Sequence, residues 1–393
     1  MTGILYAQLA LMMFLQFAIW AAWAPGLAAH LCEGLGFSAA RARWASAALC
    51  IPFILAPLLG GQLADRWLAS EYLLAAAHLA GSVLLLAAAR ARAARGLIGL
   101  LIIYAILYAP TLALANALMF RCLTDAAAEA GGIRVWGAIG WLALFLVRPS
   151  AAPGRGRAAG GYAASLALAG GLSLLMGVAS LFLPHTPPLG RPTAPLACRA
   201  ALAFLGRPDV LAFILVAFVV SVQASLHDAA AEPFLRDAGV RPRHVCGVMA
   251  IAPAGEAAAI ALLLPLLLPR VDYKWALAAG VLAWPILFLL TAIARTGWLA
   301  IAAMPFRGIG CALLFFAGQV WVDSVAPPDI RASAQALVTV ATLGLGSFAG
   351  THFASAVINF FRFEGTYRWR PIFLIPCILT LACAIAFLAL FHG

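Results

Sequence analysis

Long apolar runs follow one another along the chain, and most charged residues lie in the short segments between them. Each run is long enough to cross the roughly 30 Å hydrocarbon core of a bilayer as a helix. The pattern predicts twelve spans, at residues 4–31, 43–63, 70–90, 96–120, 132–148, 160–183, 209–234, 245–268, 273–294, 297–322, 330–359 and 371–391.

The longest polar, proline-rich interruption falls between the sixth and seventh predicted spans. We therefore expect two pseudo-symmetric six-helix bundles, at 1–183 and 209–393, joined by a central cytoplasmic linker at 184–208. Two such halves typically enclose a binding site near the membrane midplane.

Composition agrees with an all-α integral membrane protein. Hydrophobic residues make up 65% of the 393 positions and charged residues 10%, whereas an ordinary soluble domain carries about 25% charged residues. A membrane β-barrel would show short alternating segments instead. The first run starts at Ile4 without a basic region before it or a small-residue cleavage site after it, so we interpret it as a retained span.

The charged residues and the cysteines indicate which kinds of partner to expect. The net charge of +11 is spread over many short loops, which favours contact with lipid headgroups over nucleic acid. The eight cysteines form no C-x-x-C pair, so we expect neither a metal site nor a cofactor. No nucleophile–base pair or phosphate-binding loop is recognisable, and an enzyme is not expected. A monomer is the simplest assembly.

The loop after the second predicted span reads GGQLADRW at residues 60–67. It resembles the G-x-x-A-D-R signature of the major facilitator superfamily, which lies on the cytoplasmic side in that family. The resemblance implies a cytoplasmic N-terminus, although the positive-inside rule applied to the loop charges favours the opposite orientation. Asp65 and Arg66 would form a charged latch at a helix end, serving as gating residues.

Six further motifs occur in order along the chain. They read FLQFAIWAAW at 14–23, ADRWLASEYLLAAAHLAG at 64–81, YAPTLALANALMF at 108–120, IRVWGAIGW at 133–141, LPHTP at 183–187 and DIRASAQA at 329–336. Together they resemble the nucleoside:proton symporter family, which includes bacterial nucleoside permeases and xanthosine permease. The resemblance implies a twelve-helix major facilitator fold in the bacterial inner membrane and proton-coupled transport of nucleosides by alternating access.

Polar and aromatic residues on the helices that line the cavity of such transporters are the candidate substrate-binding residues. They are Gln16, Asn116, Arg134, Trp141, Ser225, Asp228, Glu256, Phe315 and Gln319. By resemblance, Arg134 matches the arginine of the family's I-R-x-W-G-x-I-G motif, at the start of span five, and Trp141 occupies an aromatic position. Glu256 matches a family glutamate that binds substrate and takes part in proton coupling. His78 is expected to be a packed helix contact.

Asp228 and Glu232 are four residues apart and share a helical face, with His227 beside them. Two like charges at this spacing repel each other, which favours proton uptake by one of them. If span seven ends near Ala231, Glu232 hydrates at the outer mouth and Asp228 remains the functional acid.

Span ten departs from the family pattern. The family's coupling aspartate is replaced by Ala312, and the preceding family histidine is Arg307. We expect Arg307 to pair with Asp228 or Glu256, so that these three residues carry proton coupling. Two alternatives stay open: a facilitator of another solute, such as a sugar or charged metabolite, with altered or lost coupling, and a non-transporting membrane sensor.

Overall fold

The computed structural model describes residues 2–147, 158–188 and 196–392. Within them, twelve helices are long and apolar enough to cross a membrane, as the apolar runs predicted. In chain order these spans are Gly3–Gly34, Ala39–Arg66, Ser70–Arg90, Ala94–Cys122, Ala126–Val147, Gly161–Ser180, Pro208–Asp237, Pro242–Leu267, Tyr273–Ile293, Gly297–Val325, Pro328–Phe360 and Trp369–Leu390. They are called spans 1 to 12 below.

Span 5 starts earlier than the apolar pattern predicts, so Arg134 lies two turns inside the helix and not at its start. The extra turns are stabilised by two acidic side chains. Asp125 Oδ1 accepts a hydrogen bond from the amide of Ala128 at 3.1 Å, and Glu129 Oε2 accepts one from the amide of Thr124 at 3.2 Å. The first contact satisfies a backbone donor that the first turn of a helix leaves free, and the second ties the residue two positions before the helix to that turn.

Several spans contain local departures from α-helical geometry. Span 1 tightens into a 3₁₀ turn at Ala24–Gly26, where Pro25 interrupts the ladder. Four π-helical segments occur in the described chain, at His30–Gly34, Ala259–Leu263, Cys311–Phe316 and Val340–Gly346. Such segments are rare and are often found at functional sites.

The described chain divides into two compact units. The first comprises Met1–Phe204 and Val322–Val340. In it, span 1 packs against spans 5 and 6, span 3 against span 6, and span 2 against span 4 and the first part of span 11. The core is made mostly of alanine and leucine side chains and includes buried aromatic rings such as Tyr104 and Tyr108.

The second unit comprises Leu205–Trp321 and Ala341–Gly393. In it, span 7 packs against spans 11 and 12, span 9 against spans 10 and 12, and span 8 against span 10. A short hairpin, which the sequence did not predict, joins spans 11 and 12 through strands Arg362–Phe363 and Thr366–Tyr367. Its turn residues Glu364 and Gly365 both have positive φ, 48° and 83°, as a two-residue type I′ turn requires.

The segment between spans 6 and 7 contains a short helix, Ala197–Phe204. The proline-rich composition had predicted only a linker there. Ala197, Ala201 and Phe204 are buried on one face of this helix, and the amide of Cys198 donates to Gln62 Oε1 in span 2 at 3.1 Å. Packing of that apolar face is what makes so short a helix stable.

Candidate functional site

A bidentate ion pair joins spans 7 and 10 in the second unit. Arg307 Nε donates to Asp228 Oδ1 at 2.9 Å, and Arg307 Nη2 donates to Asp228 Oδ2 at 2.9 Å. The Asp228 side chain is 53% exposed and that of Arg307 is 23% exposed. The predicted pairing of Arg307 with Asp228 is therefore confirmed, in the forked geometry that makes guanidinium–carboxylate pairs strong.

The position of Arg307 depends on a close approach between spans 8 and 10. A Cβ atom added at Gly308 would clash with the backbone of Ala252 and Glu256. Small residues at such crossings let helix backbones come close together in membranes. Because residue 308 is a glycine, the backbone of Glu256 can lie directly beside the helix that carries Arg307.

His227 lies next to the ion pair and was missed as a site residue by the sequence analysis. Its side chain is 3% exposed, and its Nδ1 is 3.5 Å from Asp228 Oδ1. Among the described residues, neither ring nitrogen has a hydrogen-bond partner. The ring of Phe288 in span 9 meets the imidazole edge-on at a centroid distance of 6.3 Å. A histidine beside an aspartate is visible in the sequence, but its burial is not.

The other predicted residues of the second unit lie on spans 7, 8 and 10. Glu256 and Gln319 are half-buried. Ser225 Oγ donates to the carbonyl of Ser221 at 3.1 Å. Phe315 lies in the π-helical segment Cys311–Phe316 and contacts the buried ring of Trp284 edge-on at 6.2 Å.

Span 7 does not end near Ala231, as the sequence analysis considered, but continues to Asp237. Glu232 is therefore inside the helix, and its carboxylate forms an exposed ion pair with Arg236 one turn later at 2.5 Å. Asp228 and Glu232 thus each have their own arginine, which offsets the repulsion expected between them.

In the first unit, Arg134 is 8% exposed and its guanidinium carbon lies 4.0 Å from the centroid of the Phe17 ring. Such a contact is a cation–π interaction between spans 5 and 1. Trp141, two turns further along span 5, meets Trp20 of span 1 edge-on at 5.4 Å. The two predicted residues of span 5 therefore both contact span 1.

Gln16 is fully buried in a polar network. Its Nε2 donates to Thr111 Oγ1 at 2.8 Å, and its Oε1 is 3.1 Å from His78 Nε2. His78 Nδ1 is 3.2 Å from Ser173 Oγ, so His78 joins spans 1, 3 and 6 as the packed helix contact that was expected. Asn116 in span 4 is also buried, with 5% of its surface exposed.

Asp65 and Arg66, the predicted gating residues, both contact the start of span 11. Asp65 accepts hydrogen bonds from the amides of Ala332 and Ser333 at 3.2 and 2.8 Å and from Ser333 Oγ at 2.7 Å. Arg66 Nη1 donates to the carbonyl of Asp329 at 2.6 Å. A carboxylate at the N-terminus of a helix is stabilised by the free amides and the helix dipole.

Two of the sequence motifs meet at a second acidic side chain. Glu71, at the start of span 3, is 2% exposed on its side chain. Its Oε1 lies 2.6 Å from His185 Nδ1, and its Oε2 accepts hydrogen bonds from the amide and hydroxyl of Thr186 at 3.1 and 2.7 Å. The segment that follows span 6 is thereby attached to span 3.

Among the described residues, no group of three or more His, Cys, Asp or Glu side chains is arranged to hold a metal ion. Within the described spans, Asp228 pairs with Arg307, Asp65 accepts from backbone amides, and Arg134 lies against the ring of Phe17. Twelve helices that can cross a membrane, with ionisable groups inside them, define a polytopic membrane protein with a functional site within its spans.

The nucleoside H+ symporter family model matches residues 4–393. The chain therefore belongs to this family, which confirms the resemblance inferred from the motifs. Membership in a family of symporters also fits the expectation that the chain is not an enzyme.

The similarity to individual members extends over nearly the whole chain. YegT of Escherichia coli (strain K12) is 28% identical over 98% of this chain and 93% of its own length. The nucleoside permease NupG of the same strain is 26% identical over 98% of this chain and 95% of its own length. A solved structure of a point mutant of the nucleoside transporter NupG superimposes with a TM-score of 0.75 at 25% identity, covering 99% of this chain and 100% of that one.

Proposed function

We propose that this chain transports nucleosides, or related polar solutes that contain a ring, across the bacterial inner membrane by alternating access and together with protons. The observation that carries this proposal is the family match over residues 4–393. Similarity to a protein named as a nucleoside permease, over 98% of the chain, supports the same substrate class.

In the second unit, the proposed substrate contacts are Ser225, Asp228, Glu256, Phe315 and Gln319. Asp228 is half-exposed despite its position within span 7, so its carboxylate is accessible to a ligand. Phe315 is half-buried and offers a ring for stacking. A carboxylate accepts hydrogen bonds from hydroxyl groups and ring N–H groups, which are the donors that nucleosides carry.

In the first unit, the proposed contacts are Gln16, Asn116, Arg134 and Trp141. A guanidinium presents planar, forked donors suited to a base carbonyl or a pair of ribose hydroxyls. Trp141 is half-buried and provides an aromatic face of the kind on which bases stack. Gln16 acts less directly, because its side chain is already bonded to Thr111 and His78.

Proton coupling is proposed to depend on Asp228, Glu256 and Arg307. The family's aspartate in span 10 is Ala312 in this chain, while Arg307 on the same helix holds Asp228 in a bidentate pair. Protonation of Asp228 would release Arg307 from this pair, so the pair links proton binding to the availability of a cationic donor.

Asp65 and Arg66 are proposed as gating residues, because their contacts with residues 329–333 are hydrogen bonds and ion pairs that can break and re-form. The division into bundles 1–183 and 209–393 with a cytoplasmic linker at 184–208 belongs to the same proposal. So do a cytoplasmic N-terminus, a monomeric assembly, contact of the basic loops with lipid headgroups, and the absence of nucleic-acid partners.

Uptake of labelled uridine and adenosine into proteoliposomes, with and without an inward proton gradient, tests the proposal. We expect saturable uptake that rises when the outside is made acidic. Liposomes that contain the Arg307→Gln variant provide a matched control for leak. Failure of every nucleoside to enter at either pH would refute the substrate class.

A second candidate is a facilitator of the same fold with a different solute and altered or lost coupling. Ala312 favours it, because this position lacks the acid that the family uses. Nucleoside uptake that does not respond to the proton gradient would support lost coupling, and uptake of a sugar in place of nucleosides would support a changed solute.

A further inference from the structure

The buried imidazole of His227 lies beside Asp228 but has no part in the proposed coupling through Asp228, Glu256 and Arg307. Its side chain is 3% exposed, and within the described part of the chain both ring nitrogens lack a hydrogen-bond partner. Buried polar groups in proteins are nearly always hydrogen-bonded, so an unsatisfied one calls for a specific explanation. Protonation is such an explanation for Nδ1, because a proton added to that nitrogen can be donated to the carboxylate of Asp228, 3.5 Å away.

The surroundings of His227 limit the groups with which it can exchange a proton. Asp228 follows it on span 7, with Oδ1 at 3.5 Å from Nδ1, and Arg307 of span 10 holds the same carboxylate. Span 9 contributes the apolar ring of Phe288.

Two further neighbours, spans 11 and 12, contribute uncharged groups to the part of span 7 near His227. Span 11 approaches it through Gly346 and Gly350, and span 12 through aromatic rings that contact Phe234. Span 8 adds Glu256, which interacts electrostatically with Arg307. The charged groups around the imidazole are therefore the Asp228–Arg307 pair, with Glu256 behind it.

We propose that His227 is the proton-carrying group of this transporter and that Asp228 delivers the proton to it. The half-exposed carboxylate of Asp228 takes a proton from the aqueous phase and passes it to Nδ1 of the neutral imidazole. The carboxylate is then again an anion and the imidazole a cation. When the site opens to the other side of the membrane, the imidazolium returns the proton to Asp228, which releases it to water. One proton is therefore carried for each turnover.

The link to substrate follows from competition for one carboxylate. Imidazolium Nδ1–H donates to Asp228 Oδ1, the atom that accepts from Arg307 Nε while the imidazole is neutral. Sharing the negative charge between two cations weakens the Arg307 contact and frees guanidinium N–H groups for a base carbonyl or ribose hydroxyl. Proton and substrate therefore favour the same state, which is the condition for symport. This step rests on the proposed nucleoside transport.

The test compares the pH profile of nucleoside uptake in proteoliposomes for the full-length protein and two histidine variants. His227→Gln keeps a planar polar side chain but cannot carry a proton. His352→Gln, in span 11, is the matched control, because that histidine is half-buried and bonds the carbonyl of Phe348. We expect the ratio of uptake at an outside pH of about 6 to that at about 8 to fall to about 1 in His227→Gln, whatever its absolute rate, while His352→Gln keeps the unmodified ratio.

Proton entry measured with a trapped pH-sensitive dye provides the second readout. Nucleoside addition should acidify the lumen for the unmodified protein and for His352→Gln, and should fail to do so for His227→Gln. A His227→Gln variant that retains the unmodified pH ratio and proton entry would overturn the proposal.

A third measurement separates this inference from the proposed function and from a misfolded variant. In the unmodified protein, the ¹⁵N NMR signals of His227 should titrate without any nucleoside, and Asp228→Asn should alter that titration because it removes the neighbouring carboxylate. If no nucleoside enters the liposomes, the proposed function fails and the titration still decides the role of His227. An imidazole that stays neutral from pH 4 to pH 9 overturns that role.

Discussion

Arg307 and Asp228 lie 79 residues apart in the chain and meet through two hydrogen bonds of 2.9 Å each. Charges placed within membrane spans are costly unless they are paired. By the resemblance in the sequence, Arg307 stands where the family has a histidine, and Ala312 stands where the family has its coupling aspartate. On that alignment, the pair keeps a charge on span 10 and places the acid on span 7.

The first prediction concerns the strength of this pair. Arg307→Gln and Asp228→Asn should each lower the thermal stability of the detergent-purified protein, because each leaves one charge without its partner. The double variant should lose less stability than the two single variants lose together. We expect this coupling free energy to be about 2 kcal/mol, a value between those typical of exposed and buried ion pairs. Thermal unfolding of all four proteins measures this coupling.

The exposed pair Glu232–Arg236 is the control for that cycle. It also belongs to span 7, but both side chains are more than half exposed. Its coupling energy should be about 0.5 kcal/mol or less. Equal coupling in the two cycles would show that the Arg307–Asp228 contact is no stronger than a surface ion pair.

The second prediction concerns the crossing of spans 8 and 10. Gly308→Ala should reduce the yield of folded protein and its thermal stability by about 1–3 kcal/mol, because the new methyl group meets backbone atoms of Ala252 and Glu256 that cannot move aside. Gly99→Ala in span 4 is the control, since an added Cβ there has open space. Size-exclusion chromatography followed by thermal unfolding compares them, and equal behaviour of the two variants would contradict the close packing.

The third prediction concerns the attachment of span 11. Asp65→Ala removes the acceptor for the amides of Ala332 and Ser333. Loss of such a helix-terminal acceptor costs about 1 kcal/mol, equivalent to about a fivefold rise in local opening. Hydrogen–deuterium exchange should therefore become faster in residues 331–340.

Asp125→Ala is the matched variant for that measurement, because Asp125 accepts from the amide of Ala128 in the first turn of span 5. In this variant, hydrogen–deuterium exchange should become faster at the start of span 5 and stay unchanged in residues 331–340. A rise at 331–340 in both variants, or in neither, would argue against a specific role of Asp65.

The fourth prediction concerns the segment that follows span 6. Thr186→Val keeps the side-chain shape but removes the hydroxyl that donates to the buried carboxylate of Glu71 at 2.7 Å. A hydrogen bond to a charged group contributes about 1.5–3 kcal/mol, so the unfolding temperature should fall measurably. Thr296→Val, at an exposed threonine whose side chain makes no capping bond, should be neutral, and an equal effect of both variants would refute the role of Glu71.

How much of the fold is readable in the sequence depends on the physical origin of each element. The twelve spans were predictable because a bilayer demands about 20 apolar residues for each crossing, whatever the neighbouring helices do. The early start of span 5 was not, because it depends on acidic side chains that cap backbone amides. The helix Ala197–Phe204 was also not predicted, because it too depends on a contact that the sequence pattern does not show. It is stabilised by burying one face against span 2.

By itself, the sequence determined the membrane class, the number of spans and the family, since these follow from hydropathy and from motifs whose residues are neighbours in the chain. It also indicated that an arginine on span 10 needed an acid. Which acid it is, and that His227 lies buried beside it, was decided by the tertiary structure. Those contacts join residues far apart in the chain, and their distances depend on how closely helices cross at small residues such as Gly308.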